Sequence, residues 1–448
     1  MKSLILEWNK QSHTNLNDIQ EMNTCITKNN NTNSNPNSLL SSVPYALKDL
    51  FVTKDIQTTA GSKVLSGYIP PYDATVYKLL NDAGAILLDK TNLDEFGFGG
   101  TGLNSASGPV LNPFNKERIV GGSSSGNVVQ VALGIVPFAI GTDTGDSVRA
   151  PASYMGICGY KPTYGLISRY GIVPYAPSLD TVGINATTVT DLALVAQTLV
   201  QYDEKDYTSQ KTNDKLYDNL KPLENMNIAI IKGIENYLDD EAKQIYLDNI
   251  NQLKTRFNVI EKEFETNLLE AISPVYMVLS YAEAFSCLSQ YTSIAYGKNE
   301  ALGHGYEQIV SNYRTNGFSN NVKRKIMMGA YFLENSNQQE VYLKAKKVRT
   351  VLINKYNELM NGVDCLIFPS HSRFAPLLKD LQNNTLSNKN KWLAVDLMNL
   401  ANFAGSPSIT IPTHKDNDKN FGLNINTKAF FDQTAINCAL TLELFFAK

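Results

Sequence analysis

Histidine and cysteine are scarce in this sequence, and their spacing excludes the metal sites that these residues commonly build. The chain has 448 residues with four histidines and five cysteines, and it contains no H-x-x-x-H pair and no C-x-x-C pair. A zinc hydrolase therefore has no recognisable ligand set. The cysteines are odd in number and far apart, which argues against a disulfide framework, so we expect a reducing, cytoplasmic location.

Long apolar runs and a charge excess are also absent. No uninterrupted run approaches the about eighteen apolar residues of a membrane span, and residues 1–11 lack the apolar segment of a secretory signal. The 40 basic and 43 acidic residues leave a formal net charge of −3. Such a charge gives no general attraction for nucleic acid, so we expect any RNA substrate to be held mainly by another chain.

Helical and strand patterns alternate along the chain, which predicts an α/β fold. Residues 73–84 begin with Asp73, a good N-cap residue, and close with a glycine, after which residues 85–88 indicate a short buried strand. Further strands are predicted at 228–231 and 364–369, and residues 272–349 are predicted to be mostly helical. This order favours a central mixed β-sheet covered by helices on both faces.

Composition predicts two parts of unequal size. Residues 1–42 are expected to form an N-terminal segment of helix and loop, in which residues 29–37 are an Asn-rich surface loop or insertion. Residues 43–448 are expected to form a single large domain. Within it, residues 203–355 are expected to be the more helical part.

Two loops rich in glycine and serine are the most informative part of the sequence. Residues 121–126 read GGSSSG and residues 141–149 read GTDTGDSVR, with an almost unbroken apolar run between them. Flexible linkers usually have such a composition, but a linker does not lie between apolar segments. Glycine permits tight turns and leaves backbone N–H groups uncovered, so both loops suit the close approach of a ligand.

Two common motifs match the first loop in part. The glycine spacing of residues 121–126 is that of a phosphate-binding P-loop, but residues 127–128 are Asn-Val where that motif needs lysine and then serine or threonine. The same loop fits the G-x-S-x-G nucleophile elbow with Ser124 as nucleophile. That elbow follows a strong strand, whereas residues 115–120 are polar except at their end, so Ser124 stays a minor alternative.

The two loops together resemble the amidase signature family. Its members carry a GGSSGG loop and, 24 residues after the first serine, the nucleophile of a GTDxGGSxR loop; here Ser147 follows Ser123 by 24 residues. An upstream Lys-Asp pair of the family matches Lys48-Asp49. The resemblance runs from about residue 43 to about residue 446. It implies that Lys48 is the general base, Ser123 the proton relay and Ser147 the nucleophile.

Three further segments resemble the tRNA-dependent amidotransferases within this family, namely residues 90–96, 161–171 and 178–183. The resemblance implies a glutaminase subunit that releases ammonia from glutamine through a glutamyl ester. Two partners, the B and C subunits, would complete the enzyme that converts misacylated Glu-tRNA(Gln) to Gln-tRNA(Gln). The chain itself is implied to bind no cofactor and no metal, because ATP and Mg²⁺ would be used in the partner subunit.

The same resemblance implies the residues that bind the reacting amide, and residues 203–355 would line much of this site. Backbone N–H groups would form the oxyanion hole at Thr144, Gly145, Asp146 and Ser147. Glutamine would contact Tyr276, Arg324, Lys325 and Asp396.

Two of these positions depart from the family pattern. Asp146 stands where most members have glycine, and a carboxylate aimed at the oxyanion would be harmful. We therefore predict that its side chain points away and that its backbone conformation is one that aspartate tolerates. Lys325 stands where the related amidotransferases have arginine, and it cannot grip a carboxylate with a bidentate fork. Three alternatives stay open: a free-standing amidase, a non-catalytic scaffold subunit, and an ordinary surface role for Lys325.

Overall fold

The computed structural model describes residues 3–7, 17–29, 38–297, 303–382 and 396–447. The strands are β1 Cys25–Lys28, β2 Pro44–Lys48, β3 Ile86–Thr91, β4 Phe138–Asp143, β5 Cys158–Lys161, β6 Thr181–Ala186, β7 Asn227–Ile231, β8 Asn258–Lys262, β9 Cys365–Pro369, β10 Ser408–His414 and β11 Phe421–Asn426. Within the described residues these eleven strands form one sheet in the order β1-β3-β2-β4-β6-β5-β10-β11-β9-β7-β8. Strands β3, β2 and β4 are mutually parallel, as are β9, β7 and β8, and the remaining neighbours pair antiparallel. The sheet is therefore mixed, as the sequence predicted.

Helices account for most of the remaining regular structure. They are α1 Leu4–Glu7, α2 Asn17–Glu21, α3 Thr75–Asp82, α4 Ser125–Ala132, α5 Arg149–Tyr154, α6 Val189–Leu199, α7 Asp240–Lys254, α8 Thr266–Leu288, α9 Tyr306–Gly317, α10 Asn320–Leu333, α11 Asn335–Asn337, α12 Lys344–Leu359, α13 Leu378–Gln382, α14 Asn399–Ala404 and α15 Asp432–Phe446. Short 3₁₀ turns span Lys63–Leu65, Glu95–Gly97 and Ile234–Tyr237, and a π-helical turn, Gln338–Leu343, joins α11 to α12.

Both faces of the sheet are covered by helices, as β4 illustrates. Successive side chains of a strand point to opposite faces. Phe138 and Ile140 accordingly lie in the larger apolar core, to which α6 and α15 also contribute, whereas Ala139 lies in a second core. That second core includes Val128 and Val129 of α4. The predicted fold class, an α/β domain with a mixed sheet between helical layers, is confirmed.

The helix predicted at residues 73–84 forms, but it begins differently. Helix α3 has Ala74 as its N-cap without a side-chain cap, and the Asp73 carboxylate instead accepts the Lys54 N–H at 2.6 Å. The Asp73 cap is therefore wrong. Gly84 follows the end of the helix with φ of 82°, the left-handed conformation that glycine adopts at this place. The predicted strand continues to residue 91 as β3, parallel to β2.

The N-terminal segment contributes a strand that the prediction of helix and loop missed. β1 pairs antiparallel with β3 at the sheet edge, and α1 and α2 supply the expected helix. The Ser3 hydroxyl donates to the Asp191 carboxylate of α6 at 2.5 Å, which ties this segment to the main core. Residues 30–37 of the predicted Asn-rich loop lie outside the described residues.

Helix α8 is long and apolar enough to cross a membrane by length and composition alone, a test that the core helix of a globular domain also passes. Its side chains at Ile272, Leu279 and Ala284 are buried, and α10 and α12 pack against it. On the same helix, Tyr276 lies against Gly145 and Ser273 bonds with Asp396. Within this fold α8 is a wall of the site.

Candidate active site

Lys48 is the last residue of β2, at the carboxyl end of three parallel strands, where α/β proteins commonly place their functional groups. The side chain is completely buried. Its Nζ atom donates to the Ser123 hydroxyl at 2.7 Å and to the Thr142 hydroxyl at 3.0 Å. The fold thus joins the predicted base to the predicted relay across 75 residues of sequence.

The surroundings of Lys48 favour its neutral form. Burial lowers the pKa of its ammonium from 10.5 to about 7, although the nearby Asp94, Asp143, Asp180 and Asp146 carboxylates oppose this effect. A buried lysine with such a pKa has a free electron pair in a substantial fraction of molecules at neutral pH. It can therefore accept a proton from a bonded hydroxyl.

The first glycine-serine loop places Ser123 and Ser124 differently. The Gly122–Ser123 peptide is cis, and Ser123 faces Lys48. Ser124 is also fully buried, and its hydroxyl donates to the Thr142 carbonyl oxygen at 3.4 Å, without a hydrogen bond to Lys48. Residues 121–124 lie outside any strand, so the strand that a nucleophile elbow requires is absent from this described part of the chain. The alternative with Ser124 as nucleophile is wrong.

Ser147 lies beside this pair. The Ser124 N–H donates to the Ser147 carbonyl oxygen at 3.2 Å, so the two loops are in direct contact at the residue that follows Ser123. Ser147 is 5% exposed. The structure therefore brings Lys48, Ser123 and Ser147 into one site.

The turn that contains Ser147 presents backbone donors. In the described part of the chain, no protein acceptor engages the N–H groups of Thr144, Gly145, Asp146 or Ser147. The carbonyl oxygens of the last three are already occupied, by Arg149 at Gly145, by Arg149 N–H and Ala150 N–H at Asp146, and by Ser124 N–H at Ser147. Free donors beside a buried serine are what an oxyanion hole requires.

Arg149 fixes this turn. Its buried guanidinium forms a bidentate pair with Asp143 at 2.8 and 3.0 Å and donates to the Gly145 carbonyl at 2.6 Å. It also donates to Asn402 of α14 and Ser408 of β10, at 2.7 and 2.9 Å. Burial alone would raise the pKa of the Asp143 carboxyl, but the Arg149 charge holds it below its usual value. The turn is thus held in place by the Asp143–Arg149 ion pair and by the further hydrogen bonds that Arg149 donates.

Asp146 keeps an ordinary backbone. It is not among the residues with positive φ, so the prediction that aspartate tolerates this conformation is confirmed. The residue is partly exposed. Burial, together with the charges of Asp143 and Asp396, raises the pKa of its carboxyl to about 7 against the lowering effect of Arg149. The side chain therefore lies among the acidic groups of the site.

Tyr276 and Asp396 come together on one side of this turn. The Tyr276 ring lies directly against Gly145, because a Cβ atom at that glycine would be 2.9 Å from the ring. Asp396 bonds with Ser273, one turn before Tyr276 on α8, and burial raises the pKa of the Asp396 carboxyl to about 7. Two of the predicted donor-binding residues thus flank the N–H groups of the turn.

Lys325 and its neighbour Arg324 point to different places. Lys325 donates to the Phe98 carbonyl at 2.9 Å, and its ammonium lies between the Phe98 and Tyr281 rings, 5.5 and 5.4 Å from their centres. Burial lowers its pKa to about 8. Arg324 is exposed, and its guanidinium donates to the Asn321 side-chain oxygen at a long distance of 3.5 Å. The surface interpretation of Lys325 is therefore wrong, whereas Arg324 lies outside the site.

Several residues of the site escaped the sequence prediction. Tyr175 connects Phe98, which Lys325 contacts, with Tyr276 of α8: its ring centre lies 4.2 Å from that of Phe98, and its hydroxyl bonds with Tyr276. Asp94 holds the loop above Ser123 by accepting three backbone N–H groups, those of residues 101, 102 and 104, at 2.9–3.2 Å. Thr142 shares Lys48 with Ser123. Asp94 lies in the 90–96 segment and Thr142 in the 141–149 loop, both of which resemble the family and were usable signals; Tyr175 had none.

Metal ligands do not cluster in the described residues. No group of three or more His, Cys, Asp or Glu side chains there is arranged to hold a metal ion. The chemistry that the arrangement of Lys48, Ser123 and the Ser147 turn offers is nucleophilic attack by a serine, activated through a second serine by a buried lysine, with backbone donors for the developing negative charge.

Comparison with known proteins places this arrangement in context. A match to the amidase family covers residues 12–436. The A subunit of a glutamyl-tRNA(Gln) amidotransferase from Mycoplasma pneumoniae is 43% identical over 424 residues, 91% of this chain and 87% of the relative. The corresponding protein of Mycoplasma genitalium is 40% identical, with the same coverage.

A solved structure agrees over the whole fold. The crystal structure of the glutamyl-tRNA(Gln) amidotransferase A subunit from Thermotoga maritima is 29% identical and superposes with a TM-score of 0.80, covering 98% of this chain and 90% of that one. A crystal structure described as an amidase is 26% identical, with a TM-score of 0.74 over 91% of this chain and 85% of that one. On sequence, fold and site geometry together, the chain belongs to the amidase signature family.

Proposed function

We propose that this chain is the glutaminase subunit of a glutamyl-tRNA(Gln) amidotransferase. It hydrolyses glutamine and supplies the ammonia with which the complex converts misacylated Glu-tRNA(Gln) to Gln-tRNA(Gln). The observation that carries the proposal is the 2.7 Å contact between the buried Lys48 Nζ and the Ser123 hydroxyl, next to Ser147. The names of the relatives that are 43% and 40% identical support the choice of substrate.

In the first half of the reaction, the Ser147 oxygen attacks the side-chain carboxamide carbon of glutamine. Its proton passes to Ser123, while Ser123 gives its own proton to neutral Lys48. The negative charge on the carbonyl oxygen is stabilised by the free N–H groups of residues 144–147, and one such donor commonly contributes about a hundredfold or more in turnover. The protonated Lys48 then returns a proton through Ser123 to the leaving nitrogen, and ammonia departs.

In the second half, the glutamyl ester on Ser147 reacts with water. The same relay removes a proton from the water, the ester bond to the Ser147 oxygen breaks, and that oxygen recovers a proton from Lys48 by way of Ser123. Glutamate is released and the site returns to its starting state. No other group of the chain needs to change its protonation state for the two halves to balance.

We assign glutamine binding to Lys325 of α10, Tyr276 of α8 and Asp396. Lys325 is the cation that pairs with the α-carboxylate, because it is half-buried and reaches into the site, and Tyr276 supplies a hydroxyl. Asp396 accepts the α-ammonium group. A lysine makes a single-point contact, so we expect weaker donor binding than a bidentate arginine would give.

Partners, cofactors and compartment follow from the same proposal. The relatives are named as the A subunits of an amidotransferase, which supports a multi-subunit enzyme. We propose that the partners are the B and C subunits, that ATP and Mg²⁺ are used in the partner that receives the ammonia, and that the complex works in the cytoplasm. The tRNA would be held mainly by the partner.

The proposal is tested by replacing the nucleophile. In a complex reconstituted with the partner subunits and ATP, Ser147→Ala is expected to lower glutamine-dependent amidation of Glu-tRNA(Gln) by about 10⁴-fold or more. Amidation from free ammonia should persist. Ser124→Ala makes the same chemical change one loop away and should retain the glutamine reaction. Equal loss of both reactions in Ser147→Ala would contradict the assignment.

One alternative has an observation in its favour. The likeness to a structure described as an amidase is compatible with a free-standing enzyme that hydrolyses a small amide using the same residues. Hydrolysis of small amides by the isolated chain, with glutamine untouched in the presence of the B and C subunits, would establish that alternative. A non-catalytic scaffold subunit would hydrolyse neither small amides nor glutamine. The free N–H groups of the Ser147 turn argue against such a subunit.

A further inference from the structure

Asp146 stands at the junction of the oxyanion turn and the donor-binding wall. Its neighbours Gly145 and Ser147 supply two of the free N–H groups. Gly145 is packed against the Tyr276 ring and the Asn399 side-chain oxygen, so the α8 wall and the segment that begins α14 both lie over this part of the turn. Asp396 precedes α14 and bonds to α8 at Ser273. Asp146 and Asp396 therefore border the same space.

The cations of this region already have other partners. Arg149 is bound to Asp143 and to four further acceptors, and its guanidinium is completely buried. Lys48 donates to two hydroxyls, and Lys325 donates to a carbonyl oxygen. Among the residues that the structure describes, neither Asp146 nor Asp396 forms an ion pair. Two partly buried carboxyls without a cation are costly, and a cation brought by a ligand would offset that cost.

We propose that Asp146 and Asp396 together form a two-carboxylate receptor for the α-ammonium group of the amide donor, and that Asp146 thereby selects donors that carry this group. The inference rests on the proposed glutaminase function and adds a specificity-determining residue to it. Asp146 contributes through its charge, because its side chain makes no hydrogen bond within the described part of the protein.

The charge state of the two carboxyls agrees with this role. Burial raises the pKa of both carboxyls to about 7, so neither is firmly ionised before a ligand arrives. A bound ammonium group lowers both values, because an opposite charge nearby favours the ionised form. The carboxylate next to the oxyanion hole is then neutralised by the donor itself. A donor without the ammonium group leaves both pKa values raised and gains no charge pair with either carboxyl.

Two amides that differ only in the ammonium group test the proposal. Glutaramate is glutamine without its α-amino group. In the reconstituted complex we would measure kcat/KM for hydrolysis of both amides by the wild type, Asp146→Asn, Asp146→Gly and the surface control Asp218→Asn. Loss of a hydrogen bond to a charged group usually lowers kcat/KM about tenfold to a hundredfold. Asp146→Asn should lower the ratio of kcat/KM for glutamine to kcat/KM for glutaramate by this factor.

Each outcome decides a separate point. A fall in the glutamine-to-glutaramate ratio of kcat/KM in Asp146→Asn and Asp146→Gly, with Asp218→Asn at the wild-type ratio, supports the receptor. Equal effects on both amides, or an unchanged ratio of kcat/KM values, overturn it while the wild type still hydrolyses glutamine. Absence of glutamine hydrolysis in the wild type overturns the proposed function and this inference with it. Glutaramate turnover reports folding, and Asp146→Gly replaces Asp146→Asn if the latter is insoluble.

Discussion

Two buried lysines of this protein have the same shifted pKa and different surroundings. Lys48 ends β2 and Lys161 ends β5, both side chains are fully buried, and burial lowers the pKa of each to about 7. Lys48 donates to the hydroxyls of Ser123 and Thr142. Lys161 donates to the carbonyl oxygens of Pro162 and Ser406, at 3.1 and 2.5 Å.

The partner, more than the pKa, separates the two lysines. A hydroxyl can give its proton to a neutral amine and recover it, whereas a carbonyl oxygen has no proton to give. Lys161 therefore joins β5 to the segment that follows α14, and Lys48 is able to act as a base. A perturbed pKa identifies a candidate for catalysis only together with such a partner.

Replacing each lysine with methionine gives the largest contrast. General-base catalysis contributes about 10²–10⁴-fold to a rate, so Lys48→Met is expected to lower kcat for glutamine hydrolysis by that factor. Lys161→Met should keep kcat on the order of the wild-type value. Steady-state hydrolysis by the reconstituted complex measures both, and comparable losses of kcat would abolish the distinction.

Lys161→Met should instead change stability. It leaves two buried carbonyl oxygens without a donor, and each such loss costs about 1–3 kcal/mol. Removal of the buried ammonium offsets part of this cost. We expect a lower urea midpoint with an unchanged m value. A stable Lys161→Met protein with impaired kcat would assign Lys161 to the chemistry and contradict the comparison.

The pH dependence sharpens the comparison further. The pKa of Lys48 lies at about 7, and only the neutral amine accepts a proton. As pH falls below that value, the neutral fraction and hence kcat should fall, by about tenfold per pH unit well below it. Glutamine is the suitable substrate, because its α-ammonium group lowers the pKa values of Asp146 and Asp396 and so removes their titration from this window. Lys161→Met should follow the wild-type profile; a shifted midpoint in that variant would count against separate roles.

The smallest change in kcat is expected for Thr142→Val. The substitution preserves shape and removes the hydroxyl that lies 3.0 Å from Lys48 Nζ. That hydroxyl orients the lysine without lying on the path from Ser147, so we expect kcat to fall by about tenfold or less, the usual worth of one neutral hydrogen bond. Glutaramate hydrolysis at pH 8 measures it. A loss as large as that of Lys48→Met would make Thr142 part of the relay.

Local patterns in the sequence predicted much of the fold. The end of α3 at Gly84 was set by glycine chemistry, and β7 and β9 were set by short apolar runs, so these elements lie where they were expected. β1 was missed because its burial depends on pairing with β3, which no local pattern encodes. Asp73 failed as a cap because a tertiary partner, the Lys54 N–H, competes for its carboxylate.

The site was predictable only in part, for the same physical reason. The contact between Lys48 and Ser123 spans 75 residues, and family resemblance supplied it where spacing could not. Thr142 lies in the 141–149 loop that resembles the family, but its contact with Lys48 follows from the pairing of β2 with β4. Tyr175 carries no pattern at all. The burial of Lys325 and the exposure of Arg324 depend on how α10 is rotated against Phe98, which adjacent positions in a sequence do not reveal.

The way in which Arg149 holds the oxyanion turn has a consequence for how this enzyme can vary. The guanidinium anchors the Gly145 carbonyl and the Asp143 carboxylate, so the N–H groups keep their positions without help from the side chain of residue 146. The rate of amide cleavage therefore depends on the backbone N–H groups of this short turn, whereas the preference for one amide donor over another depends on the side chain of residue 146. An engineer could exchange the side chain at that one position to retune which amide is accepted, and leave the machinery that breaks the bond intact.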